Sequence, residues 1–262
     1  MHIILRMCIV ILSLRTLHLS ARGPDEVLSA DDIQPVESQI SFFGHNADPN
    51  FIIFQQASLV EVGVSLQSLA STGNPLNIRL YPSSRSRYVK YKGPALIPVF
   101  EQTDAGLQLV AAFRIEANHS KRVLVFLSRN PSYDEGSNRE LKYYTHVLSD
   151  ANKDLPAGHL RFLNFTRFEY DVWMSGKRVK VAPGLSQLYG DSETSSIQVK
   201  FFRKVEQSYE ILFNLNIRIE DDSRYLMLLF PSSEPNDFRI QPKMLVDVVK
   251  KASARQEASS QQ

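Results

Sequence analysis

Cysteine is nearly missing from this chain: Cys8 is the only one in 262 residues, and it lies in the N-terminal leader. A chain shorn of that leader has no thiol nucleophile, no disulfide and no cysteine-based metal site. Glycine is scarce, 11 in all, and no Gly-x-Gly-x-x-Gly or Walker spacing occurs, which excludes the usual glycine-rich phosphate cradles. Long apolar runs are missing as well. The leader's apolar stretch, 7–14, falls far short of the roughly 20 residues that cross a bilayer, so no transmembrane span is expected. Charge of one sign is also lacking: 30 basic residues face 28 acidic ones, and without Arg6 and Arg15 of the leader the two are equal. Such a balance gives no global attraction to nucleic acid, and no nucleic-acid partner is expected. No His-x-x-x-His pair or alternating Asp/Asn loop suggests a metal, and no cofactor is implied.

What is present points to strands and to export. Hydrophobic residues make up 43% of the chain, enough for a core, and 15 Phe and 10 Tyr against the single Trp173 suit half-buried pleated surfaces. Arg6, the apolar run and Leu19-Ser20-Ala21 have the layout of a secretory signal, so residues 1–21 are expected to be a signal peptide. The expected location is then periplasmic, cell-envelope or extracellular.

The chain also repeats itself. Phe51, Ile53, Val60, Val62, Leu66, Leu69, Ile78 and Leu80 match Tyr170, Val172, Val179, Val181, Leu185, Leu188, Ile197 and Val199 at a constant spacing of 119. Phe113-Arg114-Ile115-Glu116 stands opposite Ile217-Arg218-Ile219-Glu220, the run 122–127 opposite 224–229, and Ile40-Ser41-Phe42-Phe43 opposite Leu160-Arg161-Phe162-Leu163. A duplicated domain is the simplest account.

Within each copy the pattern is that of a sheet. Ile211, Phe213, Leu215, Ile217 and Ile219 alternate with mostly polar residues, the period-two signature of one buried face. The polar turn 220–223 and the apolar run 225–230 then predict a hairpin, and 107–115 with 123–127 predicts its counterpart. Helical pattern is confined to 244–254 and to the stretch before Leu148. The expected fold is all-β: two tandem immunoglobulin-like β-sandwich domains related by internal duplication. The expected boundaries are a signal peptide at 1–21, a linker at 22–38, repeat 1 at 39–150, a linker at 151–158, repeat 2 at 159–248 and a disordered tail at 249–262.

The two first strands, the Val-x-Val strand with its Pro-Gly turn (Val179 to Gly184) and the Arg-Ile-Glu segments resemble uncharacterised secreted bacterial proteins with tandem small β-sandwich repeats. The resemblance covers about 39–247, and copy one carries Gly63-Val64 in place of the Pro-Gly. It implies a fold and an envelope location, and no activity.

Catalytic constellations are wanting. His45, His119, His146 and His159 are scattered, with no nucleophile or acid at a recurring spacing. A carboxylate pair for glycoside hydrolysis cannot be chosen from 28 acids. Asn118-His119-Ser120 and Asn164-Phe165-Thr166 have the form of glycosylation sequons. The one candidate binding segment is 84–92, in a stretch where copy one is longer than copy two and which the shared fold does not require; its Arg85, Arg87, Tyr88, Lys90, Tyr91 and Lys92 combine charge with aromatic surface. Alternation places Tyr88, Lys90 and Lys92 on one face and Val89 and Tyr91 on the other, unless the lysines simply guard an edge strand. The leading expectation is a non-catalytic exported binding protein whose partner is another envelope protein or a polysaccharide or other anionic polymer. The alternatives are a hydrolase of extracellular or cell-wall polysaccharide and a structural or assembly subunit.

Overall fold

The computed structural model describes residues 27–55, 65–68, 73–81, 84–116, 119, 121–130, 132–134, 140–190, 196–205, 208–232 and 239–249. They form an all-β protein of sixteen strands in four four-stranded sheets, with no α-helix among the described residues. The first half comprises β1 (Pro35–His45), β2 (Asn50–Gln55), β3 (Asn74–Arg79), β4 (Val89–Pro94), β5 (Leu96–Thr103), β6 (Gly106–Arg114), β7 (Arg122–Arg129) and β8 (Tyr143–Ser149). The second comprises β9 (Leu160–Asn164), β10 (Tyr170–Met174), β11 (Lys177–Val181), β12 (Gly184–Tyr189), β13 (Ser196–Val205), β14 (Ser208–Arg218), β15 (Ser223–Pro231) and β16 (Ile240–Val248). The two stretches expected to allow helix, before Leu148 and from Met244, carry β8 and the end of β16 instead.

Strand order in the first half is β4-β1-β7-β8 in one sheet and β3-β2-β5-β6 in the other. In the second it is β12-β9-β15-β16 and β11-β10-β13-β14, the same order eight strands later. Each half has one parallel pair, β1 with β7 and β9 with β15. Ile40 faces Val123 and Leu160 faces Tyr225, so the segments matched in sequence occupy matching places in these pairs. Each half closes a single core between its two sheets. Phe42, Phe51, Ile53, Ile97, Phe113 and Val125 fill the first, and Phe162, Tyr170, Val172, Phe201, Ile217 and Met227 the second.

The two sandwiches also pack on each other. Phe43, Leu124 and Phe126 on the outer face of β1 and β7 meet Leu163, Leu226, Leu228, Phe230 and Leu245 from β9, β15 and β16. The result is four layers, with β7 and β15 in the two inner ones. Double burial explains their unbroken apolar runs, since neither face of the strand meets water.

Three expectations need correction. The runs 211–219 and 225–230 are not a hairpin: β14 pairs with β13 and β15 with β9 and β16, so the chain crosses between layers at the polar turn. The same holds for β6 and β7. A crossover and a hairpin share one sequence pattern, two apolar strands around a polar turn. Second, the spacing of 119 holds for β2 and β10 but breaks after them. Phe51 faces Ile78 whereas Tyr170 faces Val181, so the counterpart of Ile78 is Val181 and not Ile197. The strand that carries Ile197 corresponds to β5, with Ile97 facing Phe113 as Ile197 faces Ile217. The cause is loop length. β10 and β11 are joined by Ser175 and Gly176, both at positive φ (47° and 83°) as a two-residue type I′ turn needs, while 56–73 separate β2 from β3. Third, Pro183-Gly184 is a passage between sheets, from β11 to β12, with Gly184 at φ 91°. Val60, Val62, Gly63, Val64 and Leu69 lie outside the described residues.

Candidate functional site

The segment 84–92 divides between surface and interior. Among the described residues strand β4 pairs only with β1, so it is a sheet edge, and it holds the place in the first half that β12 holds in the second; the loop before it, 80–88, is longer than 182–183 before β12. Lys90 and Lys92 point outward with Arg87, while Val89 and Tyr91 point inward, Tyr91 1% exposed with its hydroxyl donating to Pro94 O at 2.9 Å. Arg85 and Tyr88 are held at the seam between the sandwiches. Arg85 reaches Asp150 at 2.6 Å and Asp247 at 2.9 Å, and the Tyr88 hydroxyl donates to Asp150. Arg224 of β15, whose side chain is fully buried, meets the same two carboxylates at 2.9 and 2.5 Å. Two arginines between two aspartates compensate the charges removed from water, and the cluster joins the halves. A partner at this edge would find Arg87, Lys90 and Lys92.

The histidines are placed apart. His45 stacks on Phe230 at 3.6 Å, His146 lies edge-on to Phe165, and the Nδ1 of His159 lies 2.9 Å from Ala157 O. His119 accepts the Glu116 amide on Nδ1 at 2.7 Å, and burial pulls its pKa down. It borders a recess of about 550 Å³ with Asp31, Glu37, Arg114, Glu116 and Lys121. No serine, threonine or cysteine is among the described residues that line this recess. Two acids do converge elsewhere: Asp48 and Glu101 both accept from Lys142 Nζ at 2.6 Å. The ammonium lies between them, where a sugar would have to enter for two-carboxylate hydrolysis. No cluster of three or more His, Cys, Asp or Glu that could hold a metal occurs among the described residues. The Asn164 amide is buried, donating to Phe168 O and Val181 O while its oxygen accepts from Thr166, which removes it as a glycan acceptor in the folded chain. Asn118 lies outside the described residues. No helix among the described residues is long and apolar enough to cross a membrane.

The remaining surface feature is an open aromatic face on the outermost sheet, β11-β10-β13-β14. Trp173 of β10 stands between Arg178 of β11 and Lys200 of β13, and Asp171 between Lys180 and Phe202. Trp173 and Phe202 meet edge to face at 6.5 Å, and Phe202 and Tyr209 at 6.4 Å. Arg178 grips the Asp171 carboxylate at 2.7 and 3.1 Å, reaches the Tyr209 hydroxyl at 2.8 Å and lies over its ring. That guanidinium holds the Asp171 carboxyl below its ordinary pKa. Trp173, Tyr209 and Ile211 are 46, 48 and 57% exposed.

Sequence alternation placed Ile211 in the core, and the structure places it outside. A bulge shifts the register between Phe201 and Phe202, so Phe201 faces Phe213 while Phe202 faces Ile211, with Leu212 as the extra residue. One inserted residue turns everything beyond it to the other face. The available signal was Leu212 between Ile211 and Phe213, three apolar residues in a row where alternation allows one in two.

No protein-family model matches this chain, and no curated protein matches it. Tryptophan, tyrosine and arginine gathered on a rigid sheet are the residue types that carry most of the energy at recognition surfaces, through apolar area ordered at low entropic cost.

Proposed function

We propose that this chain is an exported, non-catalytic binding protein made of two tandem immunoglobulin-like sandwiches that arose by internal duplication, and that it recognises its partner with the open face of the second sandwich. Support for duplication comes from the repeated strand order, the parallel pair in each half and the matched register of β1/β7 and β9/β15. Two facing four-stranded layers joined by crossovers are in keeping with an immunoglobulin-like sandwich. Export is supported by the leader and by the lack of cysteine after residue 8.

The observation that carries the binding role is the group Trp173, Phe202, Tyr209 and Ile211, kept at the surface beside Arg178 and Lys200. Large apolar side chains gathered on one exposed face lower solubility and mark an interaction site. The test is to fractionate cells that express the chain, then compare capture by the full chain with capture by Trp173→Ala and Ile211→Lys. The reading expects the chain outside the cytoplasm and one partner retained by the parent and lost with both variants. Identical capture by all three would defeat it.

A further inference from the structure

The two outermost sheets carry equivalent residues, yet only one is covered. Phe54 of β2 and Trp173 of β10 stand 119 apart, in the strands where that spacing holds. Ile52 faces Phe100 and Asp171 faces Phe202; Phe100 in turn faces Leu109, and Phe202 faces Ile211. Phe54 and Phe100 meet edge to face at 5.5 Å, the arrangement of Trp173 and Phe202. In the first half these residues are sealed: Leu28, Ile33, Leu66 and Leu141 pack on Phe54, Phe100 and Leu109.

The cover is largely the segment 27–33, Val-Leu-Ser-Ala-Asp-Asp-Ile, apolar at its ends and acidic within. Leu28 is its apolar anchor, 1% exposed. Asp32 is its polar one: its carboxylate pairs with Arg114 of β6 and accepts from the Ser29 amide at 2.9 Å, and its carbonyl accepts from the Leu96 amide at 3.0 Å. Arg114 has a counterpart. It faces Leu96 as Arg218 faces Ser196, each arginine followed by Ile-Glu. Arg218 is exposed and has no ion pair among the described residues, and the same is true of Lys200 beside Trp173. The second half also has only a two-residue turn where the first has the long connection bearing Leu66.

We infer that the open face of β11-β10-β13-β14 binds an extended, acidic and apolar peptide segment of a partner protein, in the manner in which residues 27–33 cover the matching face of the first sandwich. This rests on the binding role proposed above. The ligand's apolar side chains lie on Trp173, Phe202 and Ile211, and its carboxylate reaches Arg218, with Lys200 between. Both halves carry the bulge, but β13 runs two residues longer between its aromatic residue and the partner of the arginine, Ser196 to Phe202 against Leu96 to Phe100, about 7 Å of strand. Opening the turn in which the Asp32 amide donates to Ser29 O supplies that reach.

Trp173 is the only tryptophan in the chain, so its emission reports on this face alone. The experiment titrates the full chain with a synthetic peptide of residues 24–36, which has no tryptophan. The expected result is a saturable blue shift, abolished by Ile211→Asp and weakened about tenfold by Arg218→Glu or by Asp32→Asn in the peptide. No change up to about 1 mM peptide, an affinity too weak to matter, would overturn the inference, as would equal binding by the Arg218→Glu chain. A response to oligosaccharides and not to the peptide overturns the peptide and leaves the binding role standing. Dimerisation of the full chain, lost with Ile211→Lys, assigns the face to a second copy and overturns the inference as well.

Discussion

Phe54 and Trp173 occupy the same position in corresponding strands of the two outermost sheets, and one is 6% exposed where the other is 46% exposed. The sheets beneath are alike. What separates the two aromatic rings is whether another stretch of the chain lies over them: residues 27–33 and the connection bearing Leu66 cover Phe54.

The pair therefore separates packing from recognition. Phe54→Ala opens a cavity under Leu28 and Leu66 and should cost about 3–5 kcal/mol. Trp173→Ala removes a ring already half in water and should cost about 1 kcal/mol or less. Urea unfolding followed by far-ultraviolet circular dichroism, which does not depend on the tryptophan, measures both. Equal losses would mean that Trp173 is part of a core.

The seam between sandwiches should be the most sensitive point in the charge network. Arg224→Met leaves the Asp150 and Asp247 carboxylates with Arg85 and the Tyr88 hydroxyl, and Asp150 is only 6% exposed. Breaking such a buried group from one side costs about 3–5 kcal/mol. Arg178→Met, which breaks an exposed pair with Asp171, should move the midpoint far less, because solvent screens that pair. Denaturant midpoints of the two variants, compared with the parent, decide the matter. Similar shifts would show that the seam cluster contributes no more than a surface pair.

The all-β class was legible because alternation and turn chemistry are local. Strand pairing was less so, and the reasons are visible in single residues. Ile211 was read as buried since a bulge at Leu212 leaves only a faint trace in the sequence. The crossover from β14 to β15 has the pattern of a hairpin, and only the partners of each strand tell them apart. Arg85 and Tyr88 looked like surface residues because Asp150 and Asp247, which hold them, are 62 and more positions away. The Trp173 face stayed hidden for the same reason as Ile211, compounded by a cover that exists in one half and not in the other.

Lys142 is the bridge between Asp48 and Glu101, and Glu101 is buried with Oε1 unpartnered. Burial pushes the Glu101 carboxyl up, while the Lys142 bond brings the Asp48 carboxyl down to about 2. Lys142→Met should destabilise by about 2–4 kcal/mol, the cost of an uncompensated partly buried charge. Adding Glu101→Gln removes that charge and should recover at least half of the loss. A double-mutant cycle measures the coupling; additive losses would show that Lys142 acts through its aliphatic stem alone.

His45 should make the fold sensitive to mild acid. Its ring stacks on Phe230 at the seam with Nδ1 buried and unpartnered, and burial, with Lys243 nearby, pulls its pKa from 6.5 to about 4. Between those values the unfolded chain takes up a proton that the folded chain refuses. The contribution of this histidine is therefore complete above pH 6.5 and is lost as the pH falls toward 4, by an amount on the order of 2 kcal/mol. His45→Phe keeps a ring against Phe230 and removes the titration. Unfolding free energies at intervals from pH 7 to pH 4 should fall less steeply for the variant than for the parent, and parallel curves would assign the acid sensitivity to other groups, His119 first among them because its pKa is lowered in the same direction.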